Sequence, residues 1–502
     1  MTPRPKSATA AAPLLLAVAG GLLIVLLRGA VPFPLVSDHA YFLPASWWMA
    51  ETGHLANPWM QGGFDRTFDW HGFLQPWLIG ALARPLGGGW DGVRLALDLL
   101  AATTVVATAL YARALGLSPL RAAAVVAVAI ALMLDARSRP EVLATLETGA
   151  IVVLCVDLAR RFPAAPARSA LVGALLATLA CTHPAAAVLV GFSLAAFLAT
   201  LAIDRRPPLA VLAARIAAAA AGFVCTFAAL VGLVFHGDAA TWLAGIAEAG
   251  RITMARTDTT GLARYFLADR FLPGFGLFAS VVIAGVWATS LPAPDATSPM
   301  RLAWAGLIGL VGALLLHRTA VRIPATYYNL TSVSIAASLV VAAPGRSRLR
   351  RLTDPAVFAL GLAALAGIAV WTAQALVDRP RIAVSRADLA AAVAADLAAG
   401  RSVCAAAAAL AAVDRPDLAR RIAVSLRLAE APAAPDPATC DVYYALRSAD
   451  AAATPPPGFV VAQTSTIWTD VFSRLGLRPS HFGFARWVSQ TRGVPTAMPN
   501  AP

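Results

Sequence analysis

Charge is what this chain has least of. Asp, Glu, Lys and Arg make up 13% of its 502 residues, while 59% are hydrophobic and the mean hydropathy is +0.70. Ordinary soluble domains carry about 25% charged residues, so the deficit excludes a soluble globular protein and points to an integral membrane protein. Cysteine is also sparse: there are five, none in a C-x-x-C pair, which excludes a zinc finger or a disulfide-rich scaffold. The sequence contains neither G-x-x-x-x-G-K-[ST] nor H-E-x-x-H, so neither a P-loop nucleotidase nor an H-E-x-x-H metalloprotease is indicated. It also lacks a repeated half with broken-helix signals of the kind many transporters carry. The net charge of +13 is not accompanied by a basic, aromatic-lined soluble module, so nucleic acid is not an expected partner.

What is present is a succession of apolar runs. A spanning helix needs about 20 such residues. Eleven candidate spans follow: 12–30, 93–113, 122–134, 142–159, 169–182, 185–203, 209–235, 271–290, 302–316, 325–341 and 356–376. The first starts after Arg4 and Lys6 and resembles a signal peptide, but the spans behind it favour an uncleaved transmembrane helix. Phe73–Leu86 is short and contains Pro76, Arg84 and Pro85, which makes it a membrane-surface or re-entrant helix. With that segment outside, the Arg-bearing loops YARALGLSPLR, ARRFPAAPAR, DRRPP and PGRSRLRR all face the cytoplasm, as the positive-inside rule requires. Counting it as a span inverts every later loop. The expected fold is therefore an all-α polytopic membrane domain, 1–377, with a cytoplasmic N-terminus and a first extracytoplasmic loop at 31–90. Residues 378–502 follow as a small extracytoplasmic domain, α/β or irregular. In it Ala387–Ala412 is an Ala-rich amphipathic region, and Cys440–Leu446 and Phe459–Thr464 look like short strands. An outer location permits a Cys404–Cys440 disulfide, which spacing alone does not establish.

Polar chemistry gathers on the outer side. The first loop holds Asp38, His39, Glu51, His54, Asp65, Asp69 and His71 among several tryptophans. Asp38 follows the exit of the first span within about two turns of chain and could take a proton from a hydroxyl or amine nucleophile, or bind a cation; Ser37 or Asp38 equally suits a helix N-cap. The second outer loop carries Arg137, Arg139, Pro140 and Glu141. Glu141 serves either as a second site carboxylate, with the arginines as phosphate ligands, or as a first-turn acid favourable to the helix dipole. The last outer loop has His317, Arg318 and Arg322, with Tyr327 and Tyr328 opening the next span. Outer cations run against the positive-inside bias, and they suit either a lipid phosphate or snorkelling to headgroups. His183, in Thr-His-Pro, reads as a helix-end group ahead of a site residue. Trp47, Trp48 and Trp59 fit an interfacial aromatic belt better than a sugar-stacking surface.

Together with the acidic residue after the first helix, the segments GFLQPWLIGALARPLG, VRLALDLLAATTVVATALYARALG and RSRPEVLATLE resemble the membrane-embedded glycosyltransferases of GT-C fold. The similarity is to the protein O-mannosyltransferase and lipid A aminoarabinose transferase group. It covers mainly Ala11–Arg161 and continues more loosely through ATLACTHPAAAVLV and HRTAVRIPATYYNL. The resemblance implies an inverting transferase at the outer face of a bacterial inner membrane. It would move a sugar from a polyprenyl-phosphate donor to a lipid, glycan or protein acceptor. Asp38 then matches the family's acceptor-activating acid, Glu141 the second acidic position and Arg139 its basic neighbour. Arg318 and Arg322 match positions that hold the lipid phosphate, and His39, Tyr327, His54, Asp69 and His71 become substrate contacts. Asp38-His39 stands where many relatives have paired acids, so no metal ligands are assigned and a divalent cation is left open. The alternative is a non-catalytic flippase or transporter of lipid-linked saccharide. That reading looks for charge within the spans, where Asp98 and Glu147 are the candidates, both expected near helix ends.

Overall fold

The computed structural model describes residues 8–30, 39–56, 72–135, 140–160, 166–184, 206–238, 350–406, 422–425, 440–447, 457–464, 468–469 and 481–490, with scattered positions between 186 and 202 and at 240 and 455. It is mostly helical with a small C-terminal sheet. The helices are α1 (Ala8–Ala30), α2 (His39–Thr52), α3 (Leu74–Ala83), α4 (Gly89–Ala114), α5 (Pro119–Asp135), α6 (Glu141–Arg160), α7 (Pro166–Thr182), α8 (Leu209–Val234) and α9 (Arg350–Ala398). Six of them cover expected spans with ends shifted by a few residues. The spans expected at 271–290, 302–316 and 325–341 lie outside the described residues. At ten residues α3 rises about 15 Å, half of a bilayer core, as a surface or re-entrant segment requires. Among the described residues two helices, α4 and α8, are long and apolar enough to cross a membrane.

Two units interleave along the sequence: residues 1–25, 68–77 and 97–369 form one, and 26–67, 78–96 and 370–502 the other. In the first unit α7 and α8 approach closely because small residues face each other. A side chain on Gly173 would collide with the Ala219 backbone, and one on Gly222 with the Ala170 backbone. This reciprocal small-residue packing is how helices associate in lipid, where hydrophobic burial gives little advantage. The rest of α8 is exposed and apolar, with Leu209, Ile216, Val224 and Leu233 all outward. Such a surface is unfavourable in water and suited to hydrocarbon. On the inner side, Ala144, Ile151 and Cys155 of α6 pack with Leu179 and Ala186. Arg168 closes the α6–α7 turn with a 2.8 Å ion pair to Asp157.

In the second unit α2 occupies part of the first loop, where a possible N-cap at Ser37 or Asp38 was the one helix signal read from the residues. Its Trp47 is fully buried and stacks on Trp90 at 5.2 Å and 6°. Trp48 is buried as well, so this pair packs internally and does not form an interfacial belt. Glu51, near the end of α2, accepts a 2.7 Å hydrogen bond from the Gly89 amide at the start of α4, which satisfies an otherwise orphaned donor.

Residue 378 lies within α9, which continues to Ala398. The Ala-rich amphipathic region read at Ala387–Ala412 is not one element: the helix ends at Ala398, and after a turn at Gly400 the chain enters β1 (Val403–Ala406). The other strands are β2 (Ile422–Ser425), β3 (Val442–Arg447), β4 (Phe459–Thr464), β5 (Trp468–Thr469) and β6 (His481–Ser489). Their order is β2-β1-β3-β6-β4, with β5 also on β6; β1 runs parallel to β2 and β3, and β6 antiparallel to its neighbours. Cys404 and Cys440 form a disulfide at the head of this sheet, beside the stacked Tyr443 and Trp487.

Asp396 ties α9 to the sheet. Val393, Asp396 and Leu397 share one buried helix face. Tyr444 and Arg486, paired directly across β3 and β6, both reach the Asp396 carboxylate, at 2.6 Å and 2.7 Å, and Arg401 adds a third contact at 2.7 Å. Burial alone would raise the Asp396 pKa, but the hydrogen bonds from Arg486 and Tyr444 and the two guanidinium charges outweigh it and hold the carboxyl below its ordinary value. Burial and the bond to Asp396 push the Tyr444 phenol up. Removing one partner of a buried ion cluster costs about 3 kcal/mol. Asp396→Ala is therefore expected to speed amide exchange in β3 of the full-length protein by about a hundredfold. Because the folded pKa is the lower one, the contribution is complete above the ordinary carboxylate pKa of about 4 and is lost as pH falls through the folded value. Hydrogen exchange of wild type across that range should show acid loosening of β3 that is weaker in Asp396→Ala.

Candidate functional site

Glu141 is the first residue of α6 and is 3% exposed. Pro140 precedes it and accepts the amide of Ala144, so the helix begins two positions after Arg139 in sequence. A carboxylate in a first helical turn is favoured by the helix dipole. Three neighbours hold this turn. Thr104 of α4 donates from its hydroxyl to the Val142 carbonyl at 3.3 Å, and Tyr111 to the Leu146 carbonyl at 3.1 Å. From α3, the Gln75 Oε1 accepts the Leu143 amide at 3.0 Å, with both groups buried. The candidate acid thus sits on a turn whose backbone is fixed from two other helices.

One and a half turns further along α6, Glu147 is 6% exposed and its Oε1 accepts a 3.0 Å hydrogen bond from Thr182 at the end of α7. The next residue, His183, accepts the Ala186 amide at its Nδ1, at 3.2 Å. It acts as a helix-end cap after Thr182, the reading preferred from Thr-His-Pro. Gly72 lies against the carbonyls of Cys181 and Thr182 with φ +88°, and a Cβ there would collide with both. Phe73, fully buried, meets Phe235 edge-on at 4.9 Å. Residues 72 and 73 are therefore seated on the end of α7 and on Phe235, just after α8.

The other expected site residues divide by position. Asp38, Asp69, His71, Arg139, Arg318, Arg322 and Tyr327 lie outside the described residues. His39 is the first residue of α2, which puts Asp38 immediately before a helix in sequence, where the capping reading also places it. His54 is exposed in the turn after α2, where its amide donates to the Thr52 hydroxyl at 3.2 Å. Asp98 and Glu147 are buried inside α4 and α6, at least one and a half turns from the helix starts, whereas the sequence suggested helix ends. Gln75 and Thr182 were not singled out. The signal for Gln75 was available: it is a lone amide in the apolar run LQPWLIGALA. Thr182 had none, since a threonine at a helix end is common. Among the described residues no three His, Cys, Asp or Glu side chains gather as a metal-binding group.

No protein-family model and no curated protein matches the chain. Among solved structures, ArnT from Cupriavidus metallidurans bound to undecaprenyl phosphate aligns over 94% of this chain and 97% of its own, with 16% identity and a TM-score of 0.47. The apo form of the same protein aligns over the same shares at 14% identity and TM-score 0.47. The archaeal oligosaccharyltransferase AglB from Archaeoglobus fulgidus, in complex with an inhibitory peptide and a dolichol-phosphate, aligns over 72% of this chain and 56% of its own, at 13% identity and TM-score 0.37.

The geometry around Gly72 makes a direct prediction. Gly72→Ala adds a backbone collision to a left-handed conformation, costing about 1–2 kcal/mol for the dihedral and about 1–3 kcal/mol for the contact. Size-exclusion chromatography of the solubilised variant should show a reduced yield of monodisperse protein; a wild-type profile and melting temperature would refute the close approach.

Proposed function

We propose that this chain is a GT-C-type inverting glycosyltransferase of a bacterial inner membrane. It uses a polyprenyl-phosphate sugar and delivers the sugar to a lipid, glycan or protein acceptor on the outer face. The observation that carries this reading is the buried Glu141 carboxylate, set in a braced helix turn directly after the Arg137–Arg139 loop. A structural first-turn acid is ordinarily solvated, so burial of this one indicates a task beyond favouring the helix dipole. In the proposed reaction Asp38 takes the proton of the acceptor nucleophile, which attacks the anomeric carbon as the bond to the lipid phosphate breaks. Arg139, Arg318 and Arg322 balance the charge that develops on the departing phosphate. Glu141, His39, His54, Asp69, His71 and Tyr327 contact the sugar and acceptor. One displacement inverts the anomeric centre.

Eleven spans with a cytoplasmic N-terminus carry the C-terminal domain outside, and the Cys404–Cys440 disulfide supports that side, because such bonds persist in oxidising compartments. Asp98 and Glu147, buried inside helices, favour a second reading as a saccharide flippase. Turnover separates the two. Purified wild type should release polyprenyl phosphate from a polyprenyl-phosphate sugar in the presence of acceptor, and Asp38→Asn should lower the rate at least a thousandfold with the folded state intact. Transport of the intact lipid without cleavage would select the flippase. For topology, single cysteines replacing Asp38 and Arg137 should react with an impermeant maleimide from outside, and one replacing Gly345 only after permeabilisation. The reverse pattern would overturn the arrangement.

A further inference from the structure

Residues 72–75 make three separate contacts, with the end of α7, with Phe235 and with the first turn of α6, and none is needed for a chain merely passing into α3. Gly72 rests on the Thr182 and Cys181 carbonyls, Phe73 meets Phe235 edge-on, and Gln75 accepts the Leu143 amide. The side chains of Gln75 and Thr182 are each under 2% exposed, and Thr182 in turn donates to Glu147 at 3.0 Å. The Leu143 amide belongs to the first turn of α6, whose donors have no partner within the helix and must be satisfied from elsewhere. Gln75 supplies that partner from 68 residues away in sequence, two positions after Glu141. Thr182 presents its hydroxyl to Glu147 and its carbonyl to Gly72, so it joins α6 to the loop exit from the other side.

We propose that Gln75 and Thr182 are positioning residues for the transfer site: Gln75 holds the first turn of α6 at Leu143 and Thr182 the second turn at Glu147, a two-point clamp that fixes the head of α6, and with it Glu141, against residues 72–75. The proposal rests on Glu141 serving the transferase reaction. A displacement of about 1 Å at a reacting group can cost about a hundredfold in rate. Gln75→Leu keeps the volume and removes the acceptor. Thr182→Val removes the hydroxyl, and Thr182→Ser retains it.

The test uses full-length protein in detergent, with two polyprenyl-phosphate donors, one carrying a pentose and one a hexose. Gln75→Leu and Thr182→Val are expected to lower kcat about ten- to a hundredfold with donor KM within about twofold, while Thr182→Ser stays within about fivefold of wild type. Hydrogen exchange at Leu143 should speed at least tenfold in Gln75→Leu, and it reads the clamp without any activity. If Thr182→Val does not fold, Gln75→Leu and Thr182→Ser carry the comparison. A rise in KM with unchanged kcat, or loss of Leu143 protection with unchanged turnover, overturns the positioning role. Unchanged exchange at Leu143 overturns the clamp. Wild-type protein that cleaves neither donor overturns the transferase reading and the positioning role with it, while exchange at Leu143 still decides the clamp.

Discussion

Away from water a polar group must find its partner within the protein, and the surroundings of α6 follow from that constraint. Its first turn carries a buried carboxylate and a backbone donor that needs a partner from outside the helix, shortly after Arg139 in sequence. The Gln75 amide satisfies the Leu143 amide, Thr104 and Tyr111 take the carbonyls of Val142 and Leu146, and Thr182 meets Glu147. Together these bonds join α6 to α3, α4 and α7, so satisfying α6 also assembles its neighbours. Close approach does the remainder: Gly173 and Gly222 let α7 and α8 touch, and Gly72 lets the loop exit reach the end of α7.

The C-terminal domain solves the same problem with charge. There the residues are outside the spans, yet Asp396 is buried and needs three partners. Tyr444 and Arg486 stand opposite each other on adjacent strands, so the sheet register itself brings the phenol and guanidinium to one carboxylate. The disulfide between Cys404 and Cys440 closes the end of β1 against the entry to β3, and the Ser402–Asp441 pair exchanges hydrogen bonds beside it at 2.8 and 2.9 Å. A short sheet with a small apolar core gains its definition from these local ties.

Legibility in the sequence tracked how local each signal was. The helices α1, α4, α5, α6, α7 and α8 were legible as long, mostly apolar runs, and strand β4 matched its expected bounds at Phe459–Thr464. Where propensity was uniform it misled: the alanines from 387 to 412 gave no sign that the helix ends at Ala398 and a strand begins at Val403. The position of Glu141 at the head of α6 was readable from Arg-Pro-Glu ahead of an apolar run. Its bracing was not, because Gln75 and Leu143 meet only through tertiary packing. The tryptophans misled for the same reason. Trp47 is defined by Trp90, forty-three positions on, and composition alone suggested the membrane interface.

The functional account joins a buried acid, an arginine loop and a first loop rich in acids and bases into one displacement at an anomeric carbon. Its central claim is single-step transfer from a lipid phosphate, and the stereochemistry of the product tests that most directly. Proton NMR of the glycoside formed from a donor of known anomeric configuration should show the opposite configuration in the product, with one polyprenyl phosphate released per transfer. Retained configuration, or product formed without release of lipid phosphate, would contradict it.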